Sequence, residues 1–315
     1  MTARPLPSWR DTAARRSILT FVAGVTDPDH EAFVPPAERV AVFDNDGTLW
    51  CEQPLVQGAF ILQRFAALAR SDPSLRLRQP WKAAFENDTS WIQEAGAKHY
   101  NGDDADMKLL LDATLKAFRD VDVEAFTSDV EAFFAAGRHP VYGCPYPDVA
   151  YLPMVELLGF LEDMGFTTYI CSGGGRDFMR PVTQATYGVP PERVIGSAPE
   201  MIFRADDGGA HVIRQSSIDI FDEGPGKPIQ IWDRVGRRPI LAGGNANGDI
   251  PMFQFTALQE RPSLCLLLRH DDDEREVGYD TGAERVQAAA DEHGWTVLSM
   301  KNDWERVFAF EAESG

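Results

Sequence analysis

A mostly parallel α/β sheet with helices on both faces, interrupted by a helical insert, is predicted from three observations. Residues 39–43 (RVAVF), 166–171 and 239–242 are short apolar runs, of the kind buried on both faces of a parallel sheet. Each ends in a polar, glycine-containing turn. Between the first run and the second, residues 53–147 carry few strand signals and several stretches of helical spacing.

The elements follow in order. An amphipathic helix is expected at about 9–25. Arg15 and Arg16 precede an apolar run at 18–25 that has the outline of an export signal. The run is short, contains Thr20 and Gly24, and lacks a small-residue cleavage site. The strand at 39–43 ends abruptly in Asp44-Asn45-Asp46-Gly47. Helices are expected at 55–69, 81–95, 104–119 and 122–136. In the last, Val123, Phe126, Val130, Phe133 and Phe134 share a face at helical spacing and read as core. A turn-rich segment at 139–148 closes the block. A helix at 151–164 then leads to the strand at 166–171, which ends in Ser172-Gly173-Gly174-Gly175, and a helix follows at 177–187. A short strand is expected at 193–197, with hairpin strands near 201–204 and 211–214. A helix begins near Lys227 and ends before Gly236. The strand at 239–242 runs into Gly243-Gly244-Asn245-Ala246-Asn247-Gly248-Asp249, and a last strand at 263–269 precedes the acidic run 271–274, read as a solvated loop. Strands separated by helices imply right-handed parallel connections. The expected division is an α/β core of residues 1–52 and 148–315 and a helical block of 53–147.

Composition narrows the function. Over 315 residues the net charge is −19. An acidic surface without a broad basic face disfavours nucleic acid and anionic membranes. No stretch approaches the ~20 apolar residues of a membrane span. An acidic protein that handles an anion needs a local cation, either a metal or a placed Lys or Arg. Cys51, Cys144, Cys171 and Cys265 form no CxxC, and the dispersed histidines form no HExxH, which argues against zinc. Scattered thiols suit a reducing, cytoplasmic compartment. Gly173 to Gly175 make no dinucleotide fingerprint, because Phe178 stands where the third glycine belongs. Oligomeric state is not legible.

In a parallel sheet the carboxyl ends of the three strands share one edge, so Asp44 and Asp46, Ser172, and Asn245 with Asp249 should converge. Two carboxylates one residue apart on a tight turn can serve as nucleophile and as proton donor. A hard cation such as Mg²⁺ prefers oxygen ligands, which Asp44, a backbone carbonyl, and Asn245 or Asp249 would supply. Ser172 and the glycine amides after it, placed where a helix begins, make a natural anion site. Lys227, also at a helix start, can neutralise charge between nucleophile and phosphate.

With those residues in place the pattern resembles a known family. FDNDGT (43–48) is similar to the DxDx[TV] first motif of the haloacid dehalogenase superfamily. CSGG (171–174) resembles its second motif, Lys227 its third, and GGNANGD (243–249) its fourth. The SGG run and the GDIPMF ending resemble the phosphoserine-phosphatase branch most, over about residues 39–253. The resemblance implies a Rossmann-like core, an aspartyl-phosphate on Asp44, Asp46 as general acid and base, and a Mg²⁺ cofactor held by Asp44, Asp46, Asn245 and Asp249. It also implies substrate contacts from Thr48, Gly173, Gly174 and Glu52, and a helical cap over a small-molecule phosphate ester.

The sequence departs from the pattern at Asn245, where the fourth motif usually holds an acid. An amide oxygen can ligate Mg²⁺ but brings no charge, so Asn245→Asp would be expected to lower the Mg²⁺ requirement. Other positions remain two-sided. Glu52 can greet a substrate ammonium or sit in a solvated flap. Arg176 can touch a substrate anion or merely open its helix. A phosphotransferase remains an alternative, since water and an alcohol both attack an acyl phosphate. So do a dehalogenase, which Asp46 argues against because a halide leaves unprotonated, and a binding protein with a decayed site.

Overall fold

A computed structural model describes residues 5–88, 90–100, 103 and 105–311. Helix α1 (Ala13–Thr26) opens on Thr12, whose side chain accepts from the Arg15 amide. It starts later than residue 9 because Trp9 is committed elsewhere. That ring is buried edge-on against Trp304, with centroids 6.0 Å apart, and donates its indole N–H to the Pro153 carbonyl at 2.9 Å. Strand β1 (Val40–Phe43) is buried at all four positions, as its unbroken apolar run requires.

Helices α2 (Val56–Ser71), α3 (Trp81–Glu86), α4 (Ser90–Tyr100), α5 (Ala105–Ala117) and α6 (Val123–Ala136) follow. The helix expected at 81–95 is two helices, because Asn87 takes a left-handed φ of 55° and ends α3. Thr89 and Asp104, within the expected helices 81–95 and 104–119, lie outside the described residues. Next come α7 (Leu152–Asp163), β2 (Thr167–Gly175), α8 (Arg176–Tyr187), β3 (Val194–Asp206), β4 (Gly209–Ile220), α9 (Gly226–Val235) and β5 (Leu241–Gly244). The chain closes with α10 (Ile250–Ala257), β6 (Leu264–Arg269), α11 (Glu284–His293), β7 (Thr296–Ser299) and α12 (Met300–Asp303). Strand β2 runs past Cys171 to Gly175, and Gly175 precedes α8. Ser172 therefore lies inside a strand, paired across from Gly196, and not at a helix start as expected.

The sheet order is β4-β3-β2-β1-β5-β6-β7. Every pairing from β3 to β7 is parallel, and β4 pairs with the later part of β3 as an antiparallel hairpin. From β1 the chain steps outward through β2 to β3, then returns to β5 and steps the other way to β7. Right-handed crossovers in opposite directions put α7 and α8 on one face and α10 and α11 on the other. The junction of β1 and β5 is the point where direction reverses, and ligands of open α/β sheets bind outside the strand ends there. One face buries Val40, Val42, Ala242 and Leu267 against Met252, Phe253, Val286 and Trp295.

The chain divides into two units. The first comprises Met1–Gln53, Gly137–Ser197 and Phe221–Gly315. The second comprises Pro54–Ala136 and Ala198–Ile220, so it contains the β3–β4 hairpin as well as α2 to α6. Residues 137–147, grouped with the helical block in the sequence reading, fall in the first unit. In the second, Phe60 stacks on Phe118 at 5.3 Å and meets Phe126 and Phe133 edge-on, as the aromatic stripe predicts. The Arg214 guanidinium lies over the Phe126 ring at 3.9 Å.

The four cysteines are unpaired, and Cys51, Cys171 and Cys265 are buried. Among the described residues no helix is long and apolar enough to cross a membrane. The acidic run is a loop whose Asp273 and Glu274 are exposed, as expected from its charge, but whose Asp271 and Asp272 are drawn inward. Asp271 accepts from Ser299 Oγ at 2.6 Å, Asp272 is buried against Arg275 at 2.5 Å, and Asp273 accepts from the Gly278 amide at 3.0 Å.

A Cβ at Gly243 would stand 2.5 Å from Cδ1 of Phe43, a ring that is itself fully buried and has nowhere to go. Gly243→Ala is expected to destabilise the first unit by about 1–3 kcal/mol. Gly159→Ala, at an exposed position of α7 where a Cβ meets open space, is expected to be neutral or to stabilise by about 0.4–1 kcal/mol. Urea unfolding of both variants checks the contrast.

Candidate active site

Four turns of the first unit build the site. The Asp44 amide donates to the Gly243 carbonyl at 2.9 Å, which prolongs the β1–β5 ladder and seats the Asp44 side chain at the direction reversal. Beyond it the chain folds back sharply. The Asn45 carbonyl accepts the Thr48 and Leu49 amides at 3.1 and 2.8 Å, and the Gly47 amide donates to the Trp50 carbonyl at 2.9 Å. Gly47 sits at φ 69°, a conformation that L side chains rarely adopt. Asn45 is buried, and neither polar atom of its side chain has a partner among the described residues.

Lys227, in the first turn of α9, is 2% exposed. Its Nζ lies 2.9 Å from Asp44 Oδ1 and 2.5 Å from Asp249 Oδ1. Asp249 is fully buried, and its second oxygen accepts the Asn245 and Ala246 amides at 2.9 and 3.0 Å. Burial disfavours the charge on Lys227, but Asp249 and Asp44 outweigh it and hold the ammonium well above the usual lysine range. Burial also pushes the Asp44 carboxyl well above the usual carboxylate range; Lys227 opposes this and Asp249 adds to it. The shifts differ in origin: the two carboxylates raise Lys227, whereas burial raises Asp44 against the pull of the ammonium.

Asp46 keeps some solvent contact and accepts the Trp50 indole N–H at 2.8 Å. Burial pushes it up to about 6, with the Trp50 hydrogen bond opposing and Glu52 adding. Asn245 is buried, with Oδ1 accepting from Thr48 Oγ1 at 2.9 Å and Nδ2 donating to Glu52 Oε1 at 3.2 Å. The Tyr279 hydroxyl donates to the same Glu52 oxygen. Burial raises Glu52 above its ordinary value, opposed chiefly by the Tyr279 hydrogen bond. Tyr279 stacks on His270 at 4.3 Å. His270 donates from Nε2 to the Gly47 carbonyl at 2.7 Å, and its Nδ1 lies 3.2 Å from Glu276 Oε2.

The second turn lies at the same sheet edge. Ser172 is buried, and its Oγ accepts the Gly174 amide at 3.1 Å. A Cβ at either Gly173 or Gly248 would overlap the carboxylate of Glu223, so that carboxylate rests over both glycines. Arg176 is paired to Asp177 at 3.1 Å in the first turn of α8.

Hydrogen bonds thus join Asp44, Lys227, Asp249 and the backbone of Asn245 in one chain, and Thr48, Asn245 and Glu52 in another. Asp46 and Ser172 make separate local bonds. Sequence reasoning missed Trp50, Glu223, His270, Glu276 and Tyr279. The last three stand after β6, outside any turn that a motif marks, and meet the first turn through the Gly47 carbonyl, Glu52 and Cys51. Among the described residues no three His, Cys, Asp or Glu side chains are grouped to hold one metal ion. The oxygens available to a cation here are mixed: the Asp44 carboxylate, backbone carbonyls and the Asn245 amide.

Comparison with known proteins identifies the architecture. Residues 38–253 match the family model of haloacid dehalogenase-like hydrolases. The chain belongs to that family. No curated protein matches the sequence. Among solved structures, a conserved protein of unknown function from Anaerococcus prevotii is similar at 16% identity and TM-score 0.54, covering 90% of this chain and 91% of its own. A protein of unknown function from Bordetella pertussis matches at 15% identity and TM-score 0.52, over 83% of this chain and 98% of its own. A phosphoserine phosphohydrolase-like protein from Francisella tularensis matches at 14% identity and TM-score 0.41, over 82% and 94%. At these identities the likeness concerns the fold of this hydrolase.

Replacing Lys227 by Met, a side chain of similar length, leaves Asp44 and Asp249 buried with no cation between them. Lys227→Met is expected to cost about 3–5 kcal/mol of stability. Chemical unfolding measures it, and a loss below about 1 kcal/mol would mean that the pair is not charged in the folded state.

Proposed function

We propose that this hydrolase is a magnesium-dependent phosphatase acting on a small phosphate monoester through an aspartyl-phosphate at Asp44. The observation that carries the reading is the buried ammonium of Lys227 bridging Asp44 and Asp249, with Asp46 two residues beyond the nucleophile. A carboxylate held against a fixed cation at a sheet edge is suited to attack a dianionic phosphoryl group, whose approach must be neutralised before bonds change.

The donor set fits Mg²⁺. Asp44, the Asp46 carbonyl and the Asn245 amide oxygen are hard oxygen ligands. One ammonium is shared between two buried carboxylates, so a second cation at the site would have a carboxylate to offset. Asp249 has one oxygen on Lys227 and the other on turn amides, which supports a role in holding the lysine. Mg²⁺ would supply charge neutralisation of the phosphoryl oxygens and of Asp44.

The protein's own groups carry the remaining steps. An Asp44 oxygen attacks phosphorus as the bond to the ester oxygen breaks. Asp46 gives its proton to that departing oxygen, so an alcohol leaves. Asp46, now ionised, takes a proton from a water that attacks the phosphorus of the acyl phosphate; inorganic phosphate departs and the Asp44 carboxylate returns. A carboxyl with a pKa of about 6 is populated in both forms near neutrality, as a group that donates and then accepts must be. Ser172, whose oxygen already accepts from the Gly174 amide, keeps its proton to donate to a phosphoryl oxygen. The demand for a proton donor favours an ester over a halide as substrate. The second unit is proposed as the cap that selects the alcohol portion, and the unpaired thiols suit a cytoplasmic setting.

Asp44→Asn is expected to reduce turnover of phosphate esters to background while leaving the circular dichroism spectrum unchanged. Substantial residual turnover in the purified variant would remove Asp44 as nucleophile. Asp46→Asn is expected to slow phosphoenzyme formation from an alkyl phosphate by about 10²-fold or more. The loss should be distinctly smaller with p-nitrophenyl phosphate, whose leaving group needs little protonation. Rapid-quench measurement of phosphoenzyme checks this, and equal losses on the two esters would rule out the acid role.

A further inference from the structure

We infer that Glu52 and Asn245 act as one acidic unit beside Asp44, in which Glu52 lends a divalent cation, through the Asn245 amide, the negative charge that an aspartate at 245 would bring. The inference rests on the magnesium-dependent reading above. Three contacts carry it. Asn245 Nδ2 donates to Glu52 Oε1 at 3.2 Å, which fixes the amide so that Oδ1 is the end presented to Thr48 and to the first turn. The Tyr279 hydroxyl donates to the same carboxylate oxygen, so Glu52 is held by a second donor besides the amide. Gly47 leaves the space in which amide and carboxylate meet, because a Cβ there would overlap both the Asn245 nitrogen and Glu52 Oε1.

An amide that donates to a carboxylate is polarised by it, and its oxygen becomes a better ligand. Outer carboxylates strengthen metal-bound side chains in the same way. The negative charge is then one side chain further from the cation than an aspartate would place it, but it is present. This explains how the fourth turn can hold a neutral residue without leaving the site short of charge.

The arrangement also reverses a simple expectation. With Glu52 in place, Asp at 245 would set a carboxylate oxygen where the amide nitrogen now donates, and a buried and a half-buried carboxylate would meet at hydrogen-bond distance. Like charges so placed oppose one another. An acid at 245 should therefore help only when residue 52 is neutral.

The test is a double-substitution cycle read by calorimetric titration of Mg²⁺ into metal-free protein without substrate, using wild type, Glu52→Gln, Asn245→Asp and the double variant. Thermal unfolding in chelator reports the fold of each. Glu52→Gln is expected to weaken Mg²⁺ binding about tenfold. Asn245→Asp alone is expected to give no tightening and a lower melting temperature in chelator. The double variant, which returns one carboxylate and one amide to the pair in exchanged places, is expected to recover the melting temperature and to bind Mg²⁺ within about threefold of wild type. If Asn245→Asp tightens Mg²⁺ by the same factor in both backgrounds, or Glu52→Gln changes nothing, the inference falls while the functional reading stands. If wild type binds no Mg²⁺, both fall. Should a variant fail to fold, Tyr279→Phe, which removes only the hydroxyl that holds Glu52, carries the test: weaker Mg²⁺ binding supports the unit and unchanged binding overturns it.

Discussion

Taking the Lys227 ammonium and the Asp44 and Asp249 carboxylates out of water costs solvation that only close pairing returns, and much of the first unit is arranged to make the pairing close. The Asp44 amide is pinned to β5 through Gly243, Asp249 is pinned by the two amides of its own turn, and Lys227 is delivered by the first turn of α9. Gly226 permits that delivery, since a Cβ there would overlap the Phe221 carbonyl. None of the three charged groups can be moved without exposing another to an unpaired state. The sheet edge is therefore rigid where charge is concentrated.

Asp44 and Asp46 are chemically identical and nearly adjacent, yet they occupy different environments. Asp44 faces an ammonium deep in the protein, while Asp46 faces an indole N–H and keeps some solvent contact. The alternation of a sharp turn sends their side chains to different neighbours, on which the proposed division of roles rests. Asn45 between them is buried with an amide that finds no partner among the described residues, a cost tolerated beside two residues whose placement matters more.

The parallel core was legible because buried strands are written as unbroken apolar runs; Val40 to Phe43 admits no other reading. The convergence of Asp44 with Asp249 followed from topology, since parallel strand ends must share an edge, whereas Lys227 arrives from the start of α9. The limits were physical as well. Ser172 looked like the start of a helix because glycines end most strands, yet β2 continues through them by pairing with β3. The later helices α10 and α11 carry weak or mixed periodicity and went unassigned; α10 is apolar on most sides because it packs between β5 and β6. Tyr279 and His270 left no trace in sequence spacing. Their contact with the first turn exists only after the chain has folded back across the sheet edge.

Each unit is discontinuous in the chain, and this bears on the order in which the protein can be made. Asp44 and Lys227 are separated by 183 positions. A ribosome moving from the amino terminus releases the carboxylate long before its counter-ion, and residues Ala198–Ile220 must emerge before the second unit has all its pieces. Until α9 appears, the turn that carries Asp44 and Asp46 has no lysine to close on, and the strand beside it lacks β5 as a neighbour. The ion pair is thus a late event in biogenesis. Its formation joins residues 183 positions apart, and the first unit closes only after both have been made.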